Sequence, residues 1–231
     1  MRTLEPRRCL VVSALCLLLG LCFGTFRVSG EPLEVLHIYL ARHGQTDWNL
    51  EHRLQGGTDI ALNTLGRRQA AQLAERMRGI RLDAVYASPL SRSRETAEIA
   101  HGSVPVRIVA GLAERRLGKF EGRRTDQSDP GAAQEYEKRS QEPDDSLDGG
   151  ESLNQFFDRV RAATAEIRAR NPSGTILIVG HGVTNQMIVR ALLGLSAAQG
   201  RSFQQANDDL YLIDVERGGP SRLWKLIDLG G

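Results

Sequence analysis

Residues 33–44 read LEVLHIYLARHG. The apolar, β-prone run predicts a buried strand over 33–41 that is followed at once by Arg42, His43 and a glycine. Residues 176–182 read ILIVGHG, so a second apolar run, typical of a central strand, leads into His181 between two glycines. In open α/β sheets, ligands bind outside the carboxyl ends of the strands. We therefore expect the two histidines to face one pocket.

Strands and helices alternate along the rest of the chain. Strands are predicted over 82–87, 104–109, 210–215 and 223–229, and helices over 65–78, 88–100, 153–170 and 182–193. This alternation is typical of an α/β fold, and we expect a three-layer sandwich with a central, mostly parallel sheet. Residues 121–150 are rich in glycine, proline and aspartate, and they predict a loop-rich insertion with a helical turn around 132–139.

The first 30 residues differ from the rest of the chain. Arginines precede an uncharged stretch at residues 10–26, and small residues at 28–30 supply a possible cleavage site. This order is typical of a secretory signal peptide, while the length of the apolar stretch also allows an uncleaved membrane anchor. We expect one folded domain over 31–231, located outside the cytoplasm as a periplasmic or secreted protein. A membrane contact is expected only if residues 10–26 remain attached.

Composition narrows the classes of function. All three cysteines (Cys9, Cys16 and Cys22) lie within residues 1–30, so residues 31–231 hold no disulfide, thiol nucleophile or cysteine metal ligand. The whole chain has a formal charge of +2, and residues 1–30 carry four arginines and one glutamate, so the remainder is 2 − 3 = −1. Without a basic field, we expect no nucleic-acid partner.

Several sequence blocks, taken together, resemble one known family. Between residues 35 and 215 they follow the order found in the histidine phosphatase superfamily, the phosphoglycerate-mutase-like proteins, and the resemblance implies that family's α/β fold. The blocks are YLARHGQTDWN at 39–49, RLQGGTD at 53–59, LNTLG at 62–66, SPLSRSRETA at 88–97, LAERRLGKFEG at 112–122, GES at 150–152 and VGHG at 179–182.

The resemblance implies a role for each residue that carries it. His43 would attack phosphorus and hold the phosphoryl group as a phosphohistidine. Arg42, Arg92 and His181 would surround the phosphoryl oxygens, where charge accumulates in the transition state. The remaining residues implied in substrate binding are Asn49 as a neutral donor, Gln55 and Gly56 at the pocket floor, and Gly182 beside the second histidine. No metal or cofactor is implied.

A leaving alkoxide also needs a proton. Glu114 occupies the position of the family's general acid, and a carboxyl group among phosphate-binding cations is placed to give and later take a proton. The alternative is a solvated glutamate, since Glu114 stands in a charged run with Arg115 and Arg116. The resemblance favours the catalytic role.

The superfamily contains both phosphatases and mutases. The insertion at 121–150 is short, and the blocks are more similar to those of the compact phosphatases, which favours hydrolysis of a small phosphorylated metabolite. Phosphoglycerate-mutase-type transfer is the first alternative, and a non-catalytic phospholigand-binding protein is the second. Asp208 and Asp209 would disfavour multiply charged substrates if they faced the pocket.

Overall fold

The computed structural model describes residues 34–126 and 128–226. These residues belong to a compact unit that spans 33–231. The expected signal peptide or anchor at 1–30 lies outside the described residues, as does the end of the strand predicted over 223–229. No helix among the described residues has both the length and the apolar character needed to span a bilayer.

A six-stranded sheet forms the centre of the fold, in the order β3-β2-β4-β1-β5-β6. The four strands β1 to β4 pair in parallel, and β5 runs antiparallel to both of its neighbours. The mostly parallel sheet predicted from the alternation is therefore confirmed. The strands are β1 (Val35–Arg42), β2 (Ala84–Ala87), β3 (Val106–Ile108), β4 (Gly174–Gly180), β5 (Leu210–Glu216) and β6 (Ser221–Leu226).

Helices cover both faces of this sheet. Strand side chains point alternately to the two faces, so Leu36, Ile38 and Leu40 of β1 meet α5 and α6 on one side, while Ala41 faces α2 and α3 on the other. This is the expected three-layer sandwich. The helices are α1 (Asp47–Leu50), α2 (Thr64–Arg76), α3 (Ser91–Ala100), α4 (Pro130–Ser140), α5 (Leu153–Arg170), α6 (Gly182–Leu193) and α7 (Ala197–Ser202).

The segment 121–150 is more regular than its composition indicated. Instead of a single helical turn it contains α4, an 11-residue helix. Asp129 caps its start by accepting a hydrogen bond from the Ala132 N–H, and Pro130 occupies the first turn, where its missing N–H costs nothing. Tyr136 of this helix packs against Phe120, with ring centroids 5.5 Å apart.

The loop that follows β1 lies directly on the start of α2. A Cβ atom added to Gly44 would lie 2.3 Å from the carbonyl oxygen of Gly66, and one added to Gly66 would lie 2.1 Å from the carbonyl oxygen of Gln45. Glycine is therefore required at both positions by close approach of two backbones. This contact fixes where the chain goes immediately after His43.

Candidate active site

Two adjacent strands place His43 and His181 side by side. Arg42 of β1 is in register with Gly180 of β4, and the His43 N–H donates to the Gly180 carbonyl at 3.0 Å. Each histidine is the first residue beyond its strand, so both lie at the carboxyl edge of the sheet, where α/β proteins bind ligands. Their rings are 5.1 Å apart between centroids and inclined by 58°.

The His43 ring is held in one tautomer. Its Nδ1 lies 2.7 Å from the Gly44 carbonyl oxygen, which can only accept, so Nδ1 carries the proton and Nε2 keeps its lone pair. Burial, together with the charges of Arg92 and Arg42, holds the pKa of His43 well below its usual value of 6.5. A neutral imidazole with a free Nε2 is the form of histidine that acts as a nucleophile.

Arg92 is a buried cation beside this ring. Its Nη1 donates to the Thr58 carbonyl at 2.8 Å and its Nη2 to the Gly56 carbonyl at 2.9 Å, while Nε is buried without a partner among the described residues. Burial lowers the pKa of Arg92 to about 10, against opposing contributions from Glu114 and Asp59. The guanidinium therefore stays charged at neutral pH, and two carbonyls fix its orientation.

Arg42 supplies a second cation. Its Nη1 donates to the Gln205 carbonyl at 2.8 Å, and its Nε, like that of Arg92, is buried without a partner among the described residues. Burial lowers its pKa, while Glu114 acts in the opposite direction. Gly182 lies against this guanidinium, because a Cβ atom added there would be 3.5 Å from the Arg42 Cζ.

His181 is fully buried. Among the described residues, neither of its ring nitrogens has a hydrogen-bond partner. Burial first, and then the charges of Arg92 and Arg42, hold the pKa of His181 well below 6.5. An anion bound between the arginines would reverse this balance and favour the protonated ring.

Glu114 lies across the amino end of α6. Its Oε2 accepts from the Val183 N–H at 3.1 Å, and its Oε1 accepts from the Thr184 N–H and hydroxyl, each at 3.1 Å. Helix N–H groups in the first turn have no partner within the helix, so the Glu114 side chain supplies their acceptors. The Arg115 N–H also donates to Glu114 Oε1 at 3.0 Å, so the carboxyl group is held in one position and is not freely solvated.

The other expected binding residues have mainly structural contacts. Asn49 Oδ1 accepts from the N–H and hydroxyl of Thr46, which closes a capping box at α1. Gln55 is buried, and its Oε1 has no partner among the described residues. Gly56 has φ +54°, a left-handed conformation that favours glycine. This conformation presents its carbonyl to Arg92.

Three residues that sequence reasoning did not single out also shape the site. Glu121 accepts from the Gly57 N–H at 2.8 Å and the Leu117 N–H at 3.0 Å, and so joins the Gly56 loop to the segment after Glu114. Gln205 supports Arg42 through its carbonyl, and Arg159 donates to backbone carbonyls on the segment before Glu114. Glu121 was visible within the GKFEG block, whereas no local pattern marked the other two.

Asp208 and Asp209 line a cavity that also includes Arg42 and Gly44 but neither His43 nor His181. Asp209 forms an ion pair with Lys225 at 2.6 Å and accepts from the Ala206 N–H, and Asp208 is exposed. The same cavity lies against α2, with Gln72 in its wall. In the described part of the chain, no cluster of three or more His, Cys, Asp or Glu side chains could hold a metal ion.

A sequence model of the histidine phosphatase superfamily (branch 1) matches residues 38–226. The chain belongs to the histidine phosphatase superfamily. This histidine phosphatase is 33% identical over 186 residues to a Klebsiella pneumoniae (strain 342) protein named probable phosphoglycerate mutase GpmB, with 79% of this chain and 86% of the relative covered.

Two solved structures of phosphatases are similar to this histidine phosphatase. Mycobacterial glucosyl-3-phosphoglycerate phosphatase has a TM-score of 0.71 and 27% identity, covering 82% of this chain and 97% of its own. The Entamoeba histolytica phosphoserine phosphatase, in complex with 3-phosphoglyceric acid, has a TM-score of 0.71 and 28% identity, covering 81% and 94%. The resemblance drawn from the sequence blocks is therefore confirmed at the level of family and fold.

Proposed function

We propose that this histidine phosphatase hydrolyses small phosphomonoesters and carries the phosphoryl group on His43. The observation that supports this most directly is a set of buried nitrogens around His43 that lack partners in the described chain, namely Arg42 Nε, Arg92 Nε and both ring nitrogens of His181. A buried polar group left unpaired costs roughly 1–3 kcal/mol. Oxygens of an anionic ligand would satisfy such a cluster, and a phosphoryl group supplies three of them.

In the first step, His43 Nε2 attacks phosphorus in line with the ester oxygen. The P–N bond forms as the P–O ester bond breaks, and negative charge spreads over the three equatorial oxygens. Arg42, Arg92 and a protonated His181 stabilise that charge without reorganising, because backbone carbonyls and burial already hold them in place. Asn49 and the Gly182 N–H are the further donors in this proposal, with Gln55 and Gly56 forming the pocket floor.

Glu114 donates a proton in the first step and accepts one in the second. As the carboxylic acid it gives its proton to the departing alkoxide, which leaves as an alcohol. Glu114, now a carboxylate, then takes a proton from the water that attacks the phosphohistidine, and inorganic phosphate departs while His43 returns to its neutral form. Its contacts with Val183 and Thr184 hold one geometry for both steps.

Trapping of the covalent intermediate tests the proposal. The protein is mixed with a ³²P-labelled phosphomonoester and quenched in denaturant, and we expect acid-labile, base-stable label on the wild type. The His43→Ala variant should carry none, and a His37→Ala variant, altered on β1 where His37 pairs with Asp214, should label normally. Label that persists on His43→Ala would remove His43 as the nucleophile.

Phosphoglycerate-mutase-type transfer is a second candidate, because the Klebsiella pneumoniae relative carries a mutase name. The two candidates differ in the fate of the phosphoryl group. Incubation with 3-phosphoglycerate releases inorganic phosphate if water is the acceptor, and yields 2-phosphoglycerate if the product is rephosphorylated. Phosphorus NMR distinguishes the two outcomes in one sample, and we expect inorganic phosphate to dominate.

We further propose that turnover needs no metal ion. In P-loop and kinase sites a divalent cation neutralises the phosphoryl oxygens, and here Arg42, Arg92 and His181 are placed for that task. Activity should therefore persist after dialysis against a strong chelator. Loss of activity that added Mg²⁺ or Zn²⁺ restores would contradict this part of the proposal.

We also propose export of the domain, with residues 1–30 as a cleaved signal. The basic start, the uncharged stretch and the small residues at 28–30 support it. Mass spectrometry of protein expressed from the full sequence and recovered from the medium or periplasm should give a mature N-terminus at Glu31. Protein recovered only in membranes with residues 10–26 intact would instead support the anchor.

A further inference from the structure

The peptide group between Gly44 and Gln45 is held at both ends. Its carbonyl, that of Gly44, lies 2.7 Å from His43 Nδ1 and fixes the tautomer of the ring. Its N–H, that of Gln45, donates to the side-chain oxygen of Gln69 on α2 at 2.8 Å. A peptide group is planar, so the hydrogen bond that orients the N–H also directs the carbonyl. Through this one peptide, Gln69 determines which group faces the His43 ring.

This peptide needs an anchor because a glycine precedes it. Gly44 has no Cβ atom, and its backbone torsions are less restricted than those of any other residue type. A rotated peptide would present the Gln45 N–H to His43 Nδ1. The ring would then accept at Nδ1 and carry its proton on Nε2, the nitrogen that attacks phosphorus in the proposed function. That tautomer has no lone pair for the attack.

The peptide group between His43 and Gly44 is fixed separately. Its carbonyl accepts from Asn207 Nδ2 at 2.7 Å, and its N–H donates to Thr96 Oγ1 at 3.0 Å. The Thr96 hydroxyl gives its own proton to the Arg92 carbonyl at 2.7 Å, so towards Gly44 it can only accept. With this neighbour fixed, the orientation of the 44–45 peptide depends on its two own contacts, the His43 ring and Gln69.

Gln69 acts from outside the phosphate site. Together with Thr96 and Asn207 it lines a cavity of about 340 Å³, and His43 and His181 are both absent from the described lining of that cavity. Its hydrogen bond with the loop is to the main chain. Gln69 is therefore placed to orient the nucleophile and not to contact a substrate.

We infer that Gln69 is a positioning residue that keeps His43 in the reactive tautomer by fixing the 44–45 peptide. The inference rests on the proposed function for its kinetic consequence, whereas the tautomer can be observed without turnover. Nucleophilic attack is common to every phosphomonoester, so loss of Gln69 should slow all substrates alike. Loss of a general acid has a different pattern, because its effect depends on the leaving group.

NMR of protein labelled with ¹⁵N-histidine tests the tautomer directly. The chain has five histidines, and the His43 signals are those that disappear in His43→Gln. At neutral pH we expect the wild type to show a protonated Nδ1 and an unprotonated Nε2 on this ring. Gln69→Leu removes the acceptor and Gln69→Asn moves it out of reach, and both should populate the Nε2–H form. Gln69→Glu keeps an acceptor and should retain the tautomer of the wild type.

Kinetics measure the consequence for catalysis. In Gln69→Leu and Gln69→Asn, kcat for p-nitrophenyl phosphate and for an alkyl phosphate should fall by similar factors of about 10-fold or more, as expected for one lost buried hydrogen bond. Calorimetric binding of inorganic phosphate should be unchanged, since Gln69 does not contact the phosphate site. Gln69→Glu should recover most of kcat.

Gln72→Leu is the matched control. Gln72 lies on the same helix and lines the same cavity, but within the described chain it makes no hydrogen bond to the loop that follows His43. This variant should have the tautomer and the kcat of the wild type.

The outcomes separate this inference from the proposed function. The positioning role is overturned if Gln69→Leu and Gln69→Asn keep the Nδ1–H form, if they lose phosphate binding in step with kcat, or if they slow the alkyl phosphate alone. A wild type found with the proton on Nε2 overturns it as well. If the wild type does not hydrolyse p-nitrophenyl phosphate but shows the expected shift of tautomer in the variants, the proposed function fails and the role of Gln69 in orienting His43 stands.

Discussion

Arg159 and Glu151 form a two-point ion pair, with Nε 2.8 Å from Oε1 and Nη2 2.7 Å from Oε2. The remaining nitrogen, Nη1, donates to the carbonyls of Gly111 at 2.9 Å and Ala113 at 3.0 Å. Ala113 directly precedes Glu114, so the pair attaches α5 to the segment that carries the proposed acid. Arg159 thus acts on Glu114 through the backbone.

Replacement of Arg159 should therefore reduce activity through the position of Glu114. We expect Arg159→Leu to lower kcat for an alkyl phosphate about 10² -fold, the effect of misplacing a catalytic group by about 1 Å. The side chain of Arg159 is 27% exposed and that of Glu151 8%, so the loss of stability should be about 2 kcal/mol, below that of a fully buried pair. Urea unfolding of the wild type and the variant measures this loss of stability.

Arg159→Lys separates position from charge. A lysine keeps the charge but cannot contact both carboxylate oxygens and two carbonyls, so we expect only partial recovery of kcat. Arg161→Gln on the same helix, where Arg161 forms an exposed pair with Asp158, should behave as the wild type. If Arg159→Leu lowers stability but leaves kcat unchanged, the Arg159–Glu151 pair has only a structural role.

Glu114→Gln should impair substrates according to their leaving group. An alkoxide needs a proton and p-nitrophenolate does not, so kcat for an alkyl phosphate should fall about 10²–10⁴-fold while kcat for p-nitrophenyl phosphate falls far less. The amide oxygen can still accept from one of the two α6 N–H groups, those of Val183 and Thr184, so the substitution removes a single hydrogen bond at this helix start. Equal losses for both substrates would argue against an acid role.

The stability of the protein should depend on pH through its two buried histidines. The pKa values of His43 and His181 are lowered well below 6.5 by burial and the arginines, so below pH 6.5 the unfolded chain binds more protons than the folded one. Stability should therefore fall as the pH drops from about 6.5 to 5, by at most about 1.4 kcal/mol per pH unit for each histidine.

Urea unfolding at pH 5, 6 and 7 measures this dependence. His43→Gln should remove about half of the slope between pH 5 and 6.5, and the His43→Gln/His181→Gln double variant should remove most of it. A double variant with the slope of the wild type would assign the acid sensitivity to other groups.

Arg92→Lys should lose most of the activity even though it keeps a positive charge. The guanidinium donates to two carbonyls at once, those of Gly56 and Thr58. A lysine ammonium group cannot reproduce this planar two-point arrangement. We expect kcat to fall about 10²–10³-fold, as for loss of a fixed transition-state donor. Arg94→Lys is the matched control on α3, because Arg94 is exposed and pairs with Glu98 at 3.8 Å. Near-normal kcat in Arg92→Lys would contradict the proposed role of Arg92 in stabilising the phosphoryl oxygens.

Much of the fold could be predicted from sequence periodicity, because the buried strands and amphipathic helices are long enough to show a recognisable pattern. The structure places β1 at Val35–Arg42 and α6 at Gly182–Leu193, within two residues of the predicted bounds. Helix α4 was harder to predict, since only Ala132 and Ser140 are buried in it and no apolar stripe results. Its recognisable signal was the Asp129-Pro130 start.

The site was predictable only in part. The two histidines could be paired from the sequence because each follows an apolar strand beside glycine. The residues that hold the site in place, Glu121 and Arg159, could not be predicted in this way. Glu121 contacts Gly57, which is 64 residues away in the sequence, and Arg159 lies on a helix face that a periodic pattern assigns to solvent. Such contacts depend on how the helices are placed over the sheet, which local pattern does not specify.

The contact between Gly44 and Gly66 limits how this enzyme can be altered. In each case the obstacle to a side chain is a backbone carbonyl, which no neighbouring substitution can shrink or rotate away. A larger residue at one glycine therefore cannot be compensated by a change at the other. We expect neither position to accept another residue, whether in evolution or in protein engineering. Substitutions intended to alter the enzyme are better directed to positions whose neighbours are side chains, which can repack.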